Sequence, residues 1–173
     1  ISYTNAFYFK SGNLNTLYKD LQMSDKEWMP KLNGGGYTVI ARLIRENIIP
    51  VNSAVVRKEV LDLTGAFDEK LKSLEDWDYW IRCAFRGVSF AHLEHTDAFA
   101  LIRVHAQSMS KNKVNMFLAD AQMRSKLAAE ISGADLNLGQ KKKLFADNSG
   151  KEKYIYIELI KTIGLKNFKR LMP

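Results

Sequence analysis

The stretch Leu74-Glu75-Asp76-Trp77-Asp78-Tyr79-Trp80-Ile81-Arg82 decides how the rest of the chain is interpreted. Its apolar residues recur at the spacing of one buried helical face. These residues are Trp77, Trp80, Ile81, Ala84 and Phe85. Ser73 stands three residues before Asp76, which approximates a capping box, and Gly87 is placed to end a helix. We therefore predict a helix whose first turn holds its carboxylates in fixed positions.

The carboxylates at the start of this helix have two explanations, and both stay open at this point. A catalytic base needs a rigidly held carboxylate, whereas acidic residues are also favoured at the positive end of a helix dipole. Asp78 and Arg82 are four residues apart, so we expect a surface ion pair between them. The two tryptophans are expected in the core, because the apolar stripe requires them, rather than as platforms for a sugar ring.

The flanking segments predict mixed α/β structure followed by helices. Strands are expected over residues 1–9 (covered on both faces), 48–56, 88–93 and 98–104, with a hairpin-like connection at 94–97. Helices are expected over residues 37–46, 57–63, 113–133 and 151–163. Residues 14–33 look irregular. The glycines at 34–36 lack the Lys-Ser/Thr of a phosphate loop and are interpreted as a flexible entry to a helix.

Length and composition indicate a folded globular chain. With 173 residues and 46% apolar residues, it can bury one core. No run approaches the roughly 18 apolar residues of a membrane span. The single cysteine, Cys83, excludes a disulfide framework and suits a reducing compartment. Because the chain opens at Ile1, inside an apparent strand, we expect it to be part of a longer protein whose N-terminal part is missing here.

The positive charge is concentrated in the last third of the chain. Residues 1–110 carry 13 Lys/Arg and 13 Asp/Glu, whereas residues 111–173 carry 13 and 6. One explanation is a solvated basic helical face. The other is contact with an anionic partner, such as a membrane surface or a lipid-linked phosphate acceptor. Nucleic acid is not expected, because no recognised binding motif accompanies the lysines.

Four motifs occur in an order and spacing that resembles a known family. They are Ser53-Ala54-Val55-Val56-Arg57-Lys58-Glu59, Gly65-Ala66-Phe67-Asp68-Glu69, Glu75-Asp76-Trp77-Asp78-Tyr79-Trp80-Ile81-Arg82, and Arg103-Val104-His105-Ala106-Gln107-Ser108-Met109-Ser110. Together they resemble the acceptor-side half of family 2 glycosyltransferases with the GT-A fold, over residues 37–110. The resemblance implies a partial GT-A mixed sheet with flanking helices over residues 1–110. A basic helical C-terminal extension, residues 111–173, carries no motif of the family.

The resemblance also implies an activity and site residues. Family 2 enzymes transfer a sugar, with inversion, from a nucleotide-diphospho-sugar to a hydroxyl. Asp76 is accordingly the candidate catalytic base and Glu75 a candidate binder of the acceptor hydroxyl. His105 matches the histidine that helps to ligate the metal, and Arg103 is a weaker candidate for contacting the diphosphate. Each has a structural alternative, since Asp76 is also placed to cap its helix and His105 to be an ordinary loop residue. His92 and His95 are interpreted as structural.

The nucleotide-binding half of the family has no counterpart in this chain. Asp76-Trp77-Asp78 spells Asp-x-Asp, but successive helical residues rotate by about 100°, so these two carboxylates diverge and chelate poorly. We therefore expect a divalent metal, Mn²⁺ or Mg²⁺, in the full-length enzyme but not on this fragment, which alone is expected to be inactive. The partners implied are a nucleotide-sugar donor and a sugar or lipid-linked sugar acceptor. The expected location is the cytoplasm, or the inner face of the membrane through the basic extension. The alternative is a non-catalytic carbohydrate- or partner-binding module with a GT-A-like remnant fold.

Overall fold

The predicted mixed α/β arrangement is confirmed. The computed structural model describes residues 1–27, 29–94 and 97–171, and within them the chain forms two small mixed sheets and six α-helices. The strands are β1 (Ser2–Tyr3), β2 (Asn5–Lys10), β3 (Asn13–Tyr18), β4 (Asn33–Gly34), β5 (Ala54–Val55), β6 (Phe90–His92) and β7 (Phe99–Val104). The helices are α1 (Gly36–Arg45), α2 (Lys58–Thr64), α3 (Glu75–Phe85), α4 (Lys113–Gly133), α5 (Leu138–Ile163) and α6 (Leu165–Leu171).

The N-terminal strand segment connects the two sheets. β1 lies between β6, to which it is parallel, and β5, to which it is antiparallel, and β4 pairs with the far side of β6. After Thr4, β2 pairs in parallel with β7 and antiparallel with β3. Residues 2–10 therefore run beside β6 and then β7. This course places the end of β7 beside the end of β2, where Val104 pairs with Lys10.

Helix α3 forms where its apolar stripe predicted it, but no side chain caps its first turn. Its N-cap is Leu74, in the left-handed region with φ 63°. The capping box predicted from Ser73 and Asp76 is therefore wrong. At the other end, the Gly87 N–H donates to the Ala84 carbonyl and the Val88 N–H to the Cys83 carbonyl. This is a Schellman motif, and it needs the positive φ of Gly87.

The two tryptophans of α3 lie in the core, as predicted. Both are almost fully buried. The indole of Trp77 donates to the Leu43 carbonyl at 2.8 Å, and that of Trp80 to the Ile49 carbonyl at 2.9 Å. Trp77 thus links α3 to α1, and Trp80 links α3 to the segment that follows α1. Burial of the rings excludes a sugar-stacking role for them.

One hydrophobic core spans the division predicted at residue 110. Buried residues of α4 and α5 belong to the same cluster as α1 and α3; they are Met123, Leu127, Ile131 and Leu144. Arg124, which is 2% exposed, donates to the carbonyls of Ile44 and Arg45 at the end of α1. A cation at these unpaired carbonyls complements the negative end of the helix dipole. The helical extension is therefore packed against the α/β part.

Several predicted elements differ from the observed ones. Residues 13–18 form the exposed edge strand β3, although this stretch was interpreted as irregular. Strand β2 is buried on one face only, although coverage of both faces was expected. Residues 48–56 contain only a short 3₁₀ turn and β5. β6 and β7 belong to different sheets, so no hairpin joins them, and the predicted connection includes residues 95 and 96, which lie outside the described residues. Helix α5 begins at Leu138 rather than near Lys151, because Asn137 and Gln140 form a capping box.

Candidate active site

A pocket of about 230 Å³ lies where α3, the end of β7 and the segment after α1 meet. Its lining includes two residues that the family resemblance singles out, Asp76 and Arg103, which are distant in sequence. The other lining residues are Tyr8, Leu21, Asn47, Pro50, Ile102, Val104, Ser108 and Ser110. The lining combines hydroxyl, amide, carboxylate and guanidinium groups with aliphatic surface. Such a mixture suits a small polar ligand.

The Asp76 carboxylate is held by two hydrogen bonds. Asn47 donates through Nδ2 to Oδ1 at 3.0 Å, and the Trp77 backbone N–H donates to the same oxygen at 2.7 Å. Asn47 is itself oriented, because its Oδ1 accepts from the Ile49 N–H at 3.4 Å. Both bonds to Asp76 end on Oδ1, so Oδ2 is the oxygen that they leave for another donor. The carboxylate therefore has one anchored oxygen and one available for a ligand.

The environment of Asp76 favours its protonated form more than water does. Burial raises the pKa of this carboxyl, and the nearby charge of Glu75 acts in the same direction. The bonds from Asn47 and Trp77 oppose the shift without cancelling it. A carboxylate with a raised pKa accepts a proton more readily.

The mouth of the pocket is formed by residues after β7. The Ser108 N–H donates to the His105 carbonyl at 3.1 Å, and the His105 N–H donates to the Ser108 hydroxyl oxygen at 2.9 Å. This turn brings Ser108 and Ser110 to the lining, beside Arg103, which is exposed. Tyr8 lies beside Ile102 on the neighbouring strand β2, and burial raises the pKa of Tyr8 to about 12, with Asp20 contributing. The Tyr8 hydroxyl is therefore neutral at physiological pH.

Glu75 and His105 do not line the pocket with Asp76 and Arg103. Glu75 is partly exposed on the first turn of α3, next to Asp76 in sequence. His105 is half-buried in the turn that positions Ser108, and its backbone makes the contacts described above. The structure thus places Asp76 and Arg103 in one cavity, with Glu75 and His105 adjacent to it in sequence.

The other acid of the Asp-x-Asp stretch, Asp78, has a structural environment. Its side chain is only 4% exposed and accepts from Arg82 at 2.8 Å and from Lys126 of α4 at 2.7 Å. Arg82 also donates to the carbonyls of Thr64 and Ala66, which fastens α3 to the end of α2. The expected ion pair with Arg82 is present, but it is buried rather than on the surface. Asp78 points into this network while Asp76 lines the pocket.

Sequence reasoning missed Asn47, and it gave Tyr8, Ser108 and Ser110 no role. Asn47 follows the last turn of α1 and precedes the fully buried Ile48 and Ile49, so an amide at that point in a buried connection was the available signal. Its contact with Asp76 spans 29 residues of sequence. No local pattern encodes a contact of that separation.

The acidic, histidine and cysteine side chains of the described residues were compared with the requirements of a metal site. Within residues 1–27, 29–94 and 97–171, no group of three or more His, Cys, Asp or Glu side chains is close enough to hold one. In the same part of the chain, no helix combines the length and apolar character needed to cross a bilayer.

Comparison with protein-family models, curated proteins and solved structures finds no match to this chain.

Proposed function

We propose that the chain is the acceptor-side part of an inverting glycosyltransferase, which moves a sugar from a nucleotide-diphospho-sugar to an acceptor hydroxyl. The observation that carries the proposal is the Asp76 carboxylate: it lines a pocket, is anchored through one oxygen by Asn47 and Trp77, and has a raised pKa. The resemblance of the surrounding motifs to family 2 supplies the reaction. Synthesis of a cell-surface polysaccharide or glycolipid is the process that we infer.

In the proposed reaction Asp76 takes the proton of the acceptor hydroxyl through Oδ2. The hydroxyl oxygen forms a bond to the anomeric carbon of the donor, and the bond from that carbon to the diphosphate oxygen breaks. The nucleoside diphosphate leaves with the electron pair, and attack from the opposite face inverts the anomeric centre. Asp76 is then protonated and loses its proton to solvent.

The remaining groups of the pocket bind rather than react in this proposal. Arg103 supplies a permanent positive charge whose planar geometry matches phosphate oxygens. Ser108, Ser110 and Tyr8 offer hydroxyls to a sugar acceptor, and Glu75 stays a candidate for binding an acceptor hydroxyl from the edge. We assign the divalent metal, Mn²⁺ or Mg²⁺, and the donor pocket to the nucleotide-binding half that the family resemblance implies. His105 stays a candidate metal ligand only in that assembled enzyme, and no step above depends on the metal.

The proposal is tested in the full-length parent that the resemblance implies. General-base catalysis contributes about 10²- to 10⁴-fold, so Asp76→Asn is expected to lower kcat by that factor and leave donor binding unchanged. Asn47→Ala should lower kcat less, because the carboxylate remains but loses one anchor. Asp62→Asn on the exposed surface of α2 is the matched control and should transfer normally. Near-normal turnover of Asp76→Asn would remove Asp76 from the mechanism.

A non-catalytic carbohydrate-binding module is the second candidate. It is supported by the pocket itself, whose lining offers groups that bind sugar hydroxyls. The reading frame upstream of Ile1 distinguishes the two candidates, since an α/β half with a strand ending in Asp-x-Asp supports the enzyme. Titration of nucleoside diphosphate and Mn²⁺ into the parent and the 173-residue chain gives the same distinction by direct binding.

A further inference from the structure

A further cavity, of about 400 Å³, lies between the segment that joins α2 to α3 and the first turns of α4. The joining segment contributes Lys70, Lys72 and Ser73 to its lining. Helix α4 contributes residues spaced by three or four, which share one helix face: Asn115, Leu118, Ala119 and Gln122. Cavities of roughly this size hold small molecules. No residue of this lining also lines the pocket that contains Asp76, so the cavity is a separate candidate site.

The two walls of this cavity are fastened to each other. Lys126, one helical turn beyond the cavity on α4, pairs with Asp68 of the joining segment at 2.8 Å and with Asp78 of α3 at 2.7 Å. Within the joining segment, the Lys70 N–H donates to the Asp68 carboxylate at 3.0 Å, and the Leu71 N–H donates to the Asp68 carbonyl at 3.1 Å. Walls that are ordered before a ligand arrives lower the entropic cost of binding it.

Ser73 is the buried polar residue of the cavity. It is 6% exposed, and among the described residues its hydroxyl has no hydrogen-bond partner. The hydroxyl is within reach of solvent, since His92 Nδ1 is the only fully enclosed polar side-chain atom without a partner in that part of the chain. A buried hydroxyl without a partner is costly unless water or a ligand supplies one. The cavity that Ser73 lines is the space from which such a partner reaches it.

The other polar groups of the cavity define the chemistry of its ligand. Lys70 and Lys72 are exposed and, within the described residues, form no salt bridge. Two ammonium groups beside a hydroxyl favour an anionic group such as phosphate or carboxylate. Asn115 and Gln122 each carry an amide that both donates and accepts, which matches the hydroxyls of a sugar. The aliphatic surface of α4 between these amides suits the carbon atoms of the ring.

We propose that this cavity binds a small sugar that carries a phosphate or carboxylate group. The ammonium groups of Lys70 and Lys72 bind the anionic group, and the Ser73 hydroxyl donates to one of its oxygens. The amides of α4 bind the sugar hydroxyls. Binding here does not depend on the proposed transferase activity, because the cavity and the Asp76 pocket have no lining residue in common.

The test is isothermal titration calorimetry of the 173-residue chain with glucose 6-phosphate, glucuronate, inorganic phosphate and glucose. We expect glucose 6-phosphate or glucuronate to bind more tightly than inorganic phosphate and glucose, and the tighter of the two identifies the anionic group. Absence of saturable binding by both anionic sugars would overturn the proposal. Equally tight binding of inorganic phosphate would exclude the sugar as the ligand, and equally tight binding of glucose would exclude the role of charge; either result would also overturn it.

A pair of lysine variants tests the place of binding. Hydrogen bonds to charged groups contribute more than neutral ones, so Lys70→Gln with Lys72→Gln should weaken binding of the anionic sugar about tenfold or more. The charge-matched control is Lys142→Gln with Lys143→Gln, which removes two exposed cations of α5 outside the cavity; it should bind like the parent. Equal losses in the two double variants would contradict the proposal, because net charge alone would then explain binding.

Ser73→Ala separates a binding role from a structural one. Because the hydroxyl has no partner in the described part of the fold, its removal should leave the urea unfolding midpoint unchanged or higher. The same variant should bind the anionic sugar about fivefold more weakly, which corresponds to the loss of one hydrogen bond. Unchanged affinity of Ser73→Ala, at any stability, would remove the hydroxyl from the site and overturn the assignment.

Discussion

Replacing Arg124 by methionine tests whether the helical extension stabilises the α/β part. The guanidinium pairs with Asp120 at 3.0 Å, donates to the carbonyls of Ile44 and Arg45, and lies 4.8 Å from the centre of the Trp77 ring. Methionine fills much of the same volume but leaves the end of α1 and Asp120 without their donor. The substitution therefore removes charge and hydrogen bonds with little change in packing.

The expected loss of stability follows from the burial of these partners. Removing one member of a buried ion pair costs about 3–5 kcal/mol. Because the Asp120 side chain is 27% exposed, we expect the lower end of that range. With a urea m-value of about 2 kcal/mol/M, the unfolding midpoint should fall by roughly 1.5 M. Urea unfolding followed by far-ultraviolet circular dichroism measures this shift.

Two further variants make the result specific. Lys142→Met removes an exposed cation of α5 and should shift the midpoint little. Asp120→Asn in the Arg124→Met background removes the stranded carboxylate and should restore part of the loss, since burial raises the pKa of Asp120 and disfavours its charge. A loss below about 1 kcal/mol for Arg124→Met, within the range of an ordinary surface substitution, would refute the view that Arg124 joins the two parts.

Two predictions concern pH. The folded-state pKa of Asp76 is raised by burial, so its contribution to stability is fully present below the unfolded value near 4 and is lost as the pH rises through the folded value. Asp76→Asn should therefore be more stable than the parent at pH 7 and lose that advantage in acid. Chemical unfolding at pH 7 and at acidic pH measures the difference, and a variant less stable than the parent at pH 7 would contradict the prediction. His92 is buried, and burial lowers its pKa; its Nε2 donates to Asn5 Oδ1 at 3.0 Å and its Nδ1 has no partner among the described residues. Its contribution is present above the unfolded pKa near 6.5 and is lost as the pH falls through the folded value. His92→Gln should therefore unfold with a flatter pH dependence below about pH 6.5, and an unchanged slope would exclude His92 as its source.

Local sequence predicted helices α1 to α4 closely, although it missed the start of α5 and gave no helix for α6. The 3.6-residue apolar stripe of α3 predicted both its existence and its buried tryptophans, because a helix with one apolar face has to bury that face. Gly87 was correctly placed after α3, since it adopts a positive φ that other residues rarely take.

Only the tertiary structure decided how these elements combine into sheets and a pocket. The strand after Gly87 pairs with β1 and the next with β2, because pairing partners depend on chain closure over some 90 residues and not on turn signals alone. The Asn47–Asp76 bond, the turn that brings Ser108 to the pocket and the pairing of Lys126 with Asp78 are contacts of the same non-local kind. The family resemblance named Asp76 as the candidate base, whereas its desolvation and the anchoring of one oxygen depend on neighbours that only folding brings together.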